Sequence, residues 1–179
     1  TGEMDAHAVG NLLIVALWEL LGDPVSGLDW VGRLLGARGR VLPMSSVPLE
    51  IEADVADGVT GTVRVVSGQS AVAVADGTVL RLRLTPVDPP APPEAVAAID
   101  AADWVVLGPG SWFTSVLPHL LVPELAAALH RTKARRCVTL NLYPAVGPRT
   151  GMSTYQHLCA LTDHAPELRV DVVIADPSA

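Results

Sequence analysis

The stretch PLEIEADV, residues 48–55, sets Leu49, Ile51, Ala53 and Val55 on one side of an extended chain and Glu50, Glu52 and Asp54 on the other. Strict alternation of this kind predicts a strand with one face in water. TVLRLRL, residues 78–84, repeats the pattern, with Arg81 and Arg83 opposite Leu80, Leu82 and Leu84. Between them SAVAVADGT, residues 70–78, reads as a third strand ending in an Asp-Gly turn. Residues 48–86 are therefore expected to form a small antiparallel layer. If its two charged strands are neighbours, Glu50 and Glu52 meet Arg81 and Arg83.

The flanks have a different rhythm. GNLLIVALWELLGD is apolar almost all round, which predicts a core helix over residues 10–21, stopped by Gly22 and Pro24. A second helix over 28–35 ends at Gly36, and a short strand is expected over 40–44. VDPPAPPEAV is a stiff connection into a helix over 93–101. Beyond it the reading is strand 104–107, helical segments to His130, strand 137–142, helix 153–164 and strand 170–175. Greasy strands alternating with helices predict an α/β fold: a parallel sheet with helices on both faces, in one domain spanning residues 1–179.

In such a sheet ligands bind beyond the carboxyl ends of the strands. Those positions are polar and Gly/Pro-punctuated here: Gly108-Pro109-Gly110-Ser111, then Asn141-Leu142-Tyr143-Pro144, then Asp176-Pro177-Ser178. The first is the leading candidate, for a phosphate or nucleotide. Glycines allow close backbone approach, a helix start offers unpaired N–H groups, and Ser111, Thr114 and Ser115 add hydroxyls. The loop is neither a Walker loop nor a full dinucleotide fingerprint. A plain turn with Ser111 as helix cap fits the same residues. His7, Gly10 and Asn11 form a second candidate at the start of the first helix, where Asn11 also fits as a cap. Met44-Ser45-Ser46 is a third. His119, His130, His157 and His164 have no metal-ligand spacing. Glu50, Glu52 and Asp54 read as a solvated face rather than a cation site.

Composition narrows the function classes. The 179 residues suffice for one sizeable core, and a net charge of −7 argues against a nucleic-acid partner. Cys137 and Cys159 match no metal or redox spacing and read as reduced thiols of a cytoplasmic protein. The apolar run 12–21 is too short to span a bilayer and carries Glu19. The chain opens on a helix and closes on the strand RVDVVIADPSA, so the fold is expected to continue beyond both ends.

DAHAVGNLLIVAL, RVLPMSSVPLEIEADV, ADWVVLGPGSWFTSVLPHLLVPELAAAL and RVDVVIADP together resemble the gluconeogenesis-factor family of CofD-like proteins, in the wording of an actinobacterial member. The resemblance covers nearly the whole chain, and its LGPGS-x-x-TS block is specific. It implies a cytoplasmic CofD-like fold of Rossmann type that binds a UDP-sugar such as UDP-N-acetylglucosamine. It also implies a role in cell shape and peptidoglycan synthesis on gluconeogenic carbon sources, with a cell-wall or regulatory protein partner, or a further copy of the chain, as associates. The ligand-loop residues it implies are His7, Gly10, Asn11, Gly108, Gly110, Ser111, Thr114 and Ser115. Pro109 and Asn141 join them by position on the rim. No cofactor or metal is implied for this stretch. The family's Gly-rich first loop, its Asp-Asp-Gly-Gly type segment and its C-terminal part have no counterpart here. The enzymatic cousin is a phospholactate transferase of deazaflavin coenzyme synthesis, whose loop reads Gly-Pro-Ser-Asn-Pro against Gly-Pro-Gly-Ser-Trp here. A protein-interaction scaffold without turnover is the third reading.

Overall fold

A computed structural model describes residues 8–141 and 153–176. The first helix, α1 (Val9–Leu21), ends where expected: Gly22 takes a left-handed φ of 67° and donates its N–H to the Trp18 carbonyl at 2.8 Å. The second, α2 (Pro24–Leu34), begins four residues before the expected start. Asp23 caps it, accepting from the N–H groups of Val25 and Ser26, and Pro24 takes the first helical position. The two helices pack as a hairpin, with the Trp18 indole lying directly on Gly27.

The core role expected of α1 is corrected. It has no buried residue, and Leu13 and Val15 are 40% and 48% exposed. One partner helix covers only one stripe of an all-round apolar surface. The strand expected over 40–44 is absent as well. Arg40 there donates through two nitrogens to the Asp29 carboxylate, each at 2.8 Å, and the chain runs on irregularly.

The antiparallel layer holds β1 (Glu50–Ala56), β2 (Val63–Ser67) and β3 (Thr78–Thr85) in the order β2–β1–β3. Ile51, Ala53, Val55, Leu82 and Leu84 form its buried row, as alternation requires. Glu52 stands opposite Arg83 and Asp54 opposite Arg81, and Arg83 forks onto Asp54 at 2.6 and 2.7 Å. The expected cross-strand charge pairing is therefore present, carried by Asp54 and Glu52, while Glu50 faces Thr85. A bulge after Asp54 skips Leu80, which turns outward and is 56% exposed.

The strand expected over 70–78 is instead a helix, α3 (Gln69–Val74), and β2 supplies the third strand. Alternating Ala and Val over the five residues 71–75 does not separate the two periods. Here Val72 is fully buried and Val74 exposed, and a φ of 93° at Gly68 turns the chain off β2.

The Arg83 guanidinium holds the Asp54 carboxyl below its ordinary 3.8. A depressed folded-state pKa gives stability that is present above the unfolded value and lost as pH falls through the folded one. Wild type should therefore melt above Asp54→Asn by a constant margin at pH values above about 5, and the margin should shrink below the ordinary carboxylate range. Melting temperature against pH for both proteins checks this, and a margin that persists into acid would contradict it.

The parallel sheet holds β4 (Trp104–Leu107), β5 (Arg135–Thr139) and β6 (Val172–Ile174) side by side, with Leu107, Val138 and Val173 in register. Val105, Leu107 and Val138 turn into the common core. The helices on that side are α4 (Pro93–Asp100), α5 (Leu117–Leu120), α6 (Pro123–Arg131) and α7 (Thr154–His164). Helix α7 begins with a reciprocal capping box between Ser153 and Gln156. Arg136 of β5 donates to the carbonyls of Leu129, His130 and Thr132, satisfying the carboxyl end of α6. The other row, with Trp104 and Val106, is open. Among the described residues helices pack against the core face of the sheet, while Trp104 and Val106 on the other face are exposed.

Candidate functional site

All three parallel strands end on one rim, so the loop after β4 and Asn141, just past β5, come together there. The β4 loop is built from steric necessity. Gly108 has a φ of 88°, and a Cβ there would collide with the carbonyl oxygen of Thr139 on β5. Gly110 packs against Ser115: a Cβ on it would stand 3.2 Å from the Ser115 Cβ. Between them the Gly108–Pro109 peptide is cis.

Asn141 fastens the loop from the next strand. Its Oδ1 accepts from the Gly110 N–H at 3.0 Å, and its Nδ2 donates to the Gly110 carbonyl at 3.1 Å. One bond at each end of the amide makes Asn141 a fastening for the loop and leaves a second lone pair and a second N–H hydrogen on this exposed side chain.

After Gly110 the chain enters a wide π turn, Trp112–Val116, which runs on into α5. The Ser111 carbonyl accepts from the N–H groups of Thr114 and Ser115 at 3.3 and 2.7 Å, while the Ser111 hydroxyl caps nothing. The side chain of Trp112 is buried and meets the His157 ring of α7 edge-on at 5.1 Å. That contact anchors the turn and leaves the hydroxyls of Ser111, Thr114 and Ser115 outside the described hydrogen bonds. The arrangement is a fixed backbone loop edged by three hydroxyls and by the unpaired amides of a turn's start.

Beside it a cavity of about 200 Å³ is lined by Gly108, Ser115 and His119 over an apolar floor. Although the His119 side chain is exposed along one edge, this wall desolvates the imidazole and pushes its pKa below the ordinary 6.5; backbone carbonyls of Val116 and Ser115 act the other way.

The remaining candidates fall elsewhere. Gly10 and Asn11 lie inside the first turns of α1, whose capping position is Ala8, and Asn11 caps nothing. No described hydrogen bond brings them to the 108–115 loop. His7, residues 142–144 and residues 177–178 lie outside the described residues. Met44, Ser45 and Ser46 line a cleft of about 750 Å³ that also reaches Thr114. Trp18, Gln69 and Glu50 share that cleft, and pattern reading did not connect them. Among the described residues, no three His, Cys, Asp or Glu gather as a metal site. No single described helix is long and apolar enough to cross a membrane.

Comparison with known proteins agrees with the geometry. The family profile described as "2-phospho-L-lactate transferase CofD" matches residues 1–179. A Mycobacterium tuberculosis protein named "Putative gluconeogenesis factor" is 52% identical over 178 residues, covering 98% of this chain and 52% of that protein. The gluconeogenesis factor of Halalkalibacterium halodurans is 34% identical over 171 residues, covering 96% of this chain and 52% of its own. A crystal structure of a UPF0052-family protein from Bacillus halodurans superposes with a TM-score of 0.86 at 34% identity, over 98% of this chain and 55% of that one. The chain spans about half the length of the curated relatives it matches. An α/β fold with a Gly-Pro-Gly-Ser loop on its parallel rim, matched along its whole length by one profile, places this chain in the CofD family.

Proposed function

We propose that this region binds the phosphate-bearing part of a nucleotide sugar of the UDP-N-acetylglucosamine type on the 108–115 loop. The observation that carries the reading is the two-point clamp of Asn141 on Gly110, which holds a hydroxyl-edged loop still at the carboxyl end of a parallel strand. Backbone amides and hydroxyls fixed in advance bind phosphate without a neighbouring cation, and the loop carries none. The relatives' printed name, gluconeogenesis factor, supports a role linked to gluconeogenesis, and the reading places that role in the cytoplasm. In this reading the protein is a regulator of cell shape and peptidoglycan synthesis, and the nucleotide sugar is its signal rather than its substrate. A cell-wall or regulatory protein reads that signal, or a further copy of the chain does.

The test is calorimetry with UDP-N-acetylglucosamine on the full-length protein. Asn141→Ala removes two hydrogen bonds that order the loop, each worth about 0.5–1.5 kcal/mol, so affinity should fall about tenfold. The same loss should lower the melting temperature by roughly 2–4 °C per kcal/mol, and circular dichroism checks that the variant is folded at the titration temperature. Unchanged affinity would mean the loop is only a turn. Stabilisation by GDP and a deazaflavin, with none by UDP-sugars, would favour the transferase instead.

A further inference from the structure

The cleft beside the loop differs from it in chemistry. It runs from α1 across the 43–49 segment and the edge of β1 to Thr114, and holds about 750 Å³. Its walls are mainly apolar, with Trp18 and Met44 prominent. Trp18 is fixed in place, because its ring lies on Gly27 where any side chain would displace it. At its rim stand the exposed side chains of Ser46, Glu50 and Gln69, with the half-buried Thr114 further in, and no described hydrogen bond engages any of the four. No lysine or arginine lines the cleft, and its one charge is the carboxylate of Glu50.

An apolar-walled cleft with a few unoccupied polar groups is built for a small ligand of mixed character. A carboxylate without a cation turns phosphate away and accepts from hydroxyl donors. A fixed indole offers a flat apolar surface to a ring that has one apolar face and a polar edge. Thr114 belongs both to this cleft and to the hydroxyl-edged loop, so one molecule can span the two.

We propose that the cleft receives the neutral, hydroxyl-bearing ring of the ligand, its sugar, while the 108–115 loop holds the phosphate part. This inference rests on the nucleotide-sugar reading of that loop. Trp18 backs the apolar face of the ring, and Glu50 and Gln69 take its hydroxyls from the rim.

The two halves separate experimentally. Dissociation constants for UDP and for UDP-N-acetylglucosamine are measured by calorimetry on the full-length protein, with circular dichroism confirming the fold of each variant. Wild type should bind the nucleotide sugar at least tenfold more tightly than UDP. Gln69→Leu and Trp18→Leu should erase most of that ratio while leaving UDP affinity within about twofold, and Trp18→Phe should keep part of it. Asn141→Ala should weaken both ligands alike and preserve the ratio. A ratio near one in wild type, or one untouched by Gln69→Leu and Trp18→Phe, would overturn the sugar cleft and leave the loop standing. Binding of neither ligand would overturn the loop and the cleft together.

Discussion

Gly108→Val should be among the most damaging single changes in this region. The mutant gains a Cβ aimed at the carbonyl oxygen of Thr139, on a backbone whose φ of 88° side chains rarely adopt. Backbone strain and steric overlap of this kind together cost about 2–4 kcal/mol. For a chain of this size that lowers Tm by roughly 5–15 °C. The offending atom is the Cβ itself, so Gly108→Ala should be nearly as harmful. Gly10→Ala is the control: a Cβ there meets nothing within 4 Å, and the melting temperature should stay level or rise slightly. Thermal denaturation of the three variants decides it. A Gly108→Ala protein as stable as Gly10→Ala would show that the loop backbone yields freely and is not held in one shape.

The second large effect is expected at Leu117. This side chain is fully buried where the π turn passes into α5, beside Val116 and Leu120 of the same core. Its N–H closes the turn onto the Trp112 carbonyl. Leu117→Ala removes three buried carbons and leaves a cavity, which costs about 2–5 kcal/mol. It should also loosen the loop above it, so nucleotide-sugar affinity should fall even at temperatures where the protein stays folded. Leu117→Met, which nearly conserves volume, should cost less than about 1.5 kcal/mol. Denaturant melts with calorimetry on the same samples test both claims. Equal stability of the Ala and Met variants would mean that the site beneath the loop collapses without penalty.

The alternating strands β1 and β3 and the rim loop were legible from pattern because both follow from short-range chemistry, whereas β2 and its place beside β1 were not. Leu49, Ile51, Ala53 and Val55 alternate with acids, and that alone turns β1 the right way round. The strand Trp104–Leu107 was bounded by a loop whose glycines admit few other readings. Ser153 and Gln156 mark the start of α7 within four residues of sequence. The α2 start is equally local, in the Asp23 cap and Pro24.

Other features were not local. Residues 69–74 carry a pattern open to helix or strand, and burial of Val72 with the turn at Gly68 settled the matter. The charge partner of Arg83 depended on register, which a bulge at Asp54 resets. Asn141 is a rim residue by sequence, but only the neighbouring strand's position makes its amide a clamp on Gly110, 31 residues away. The cleft joins Trp18, Glu50, Gln69 and Thr114 from four separate segments, which no spacing rule connects.

By itself, then, the sequence determined the periods, the caps and the glycine-forced turns of this protein. These are set by backbone sterics and hydrogen bonds reaching a few residues along the chain. Only the tertiary structure decided which faces are covered, which charges meet, and that a loop and a cleft share Thr114. Those depend on contacts between distant segments, whose free energy appears only when the whole core has assembled.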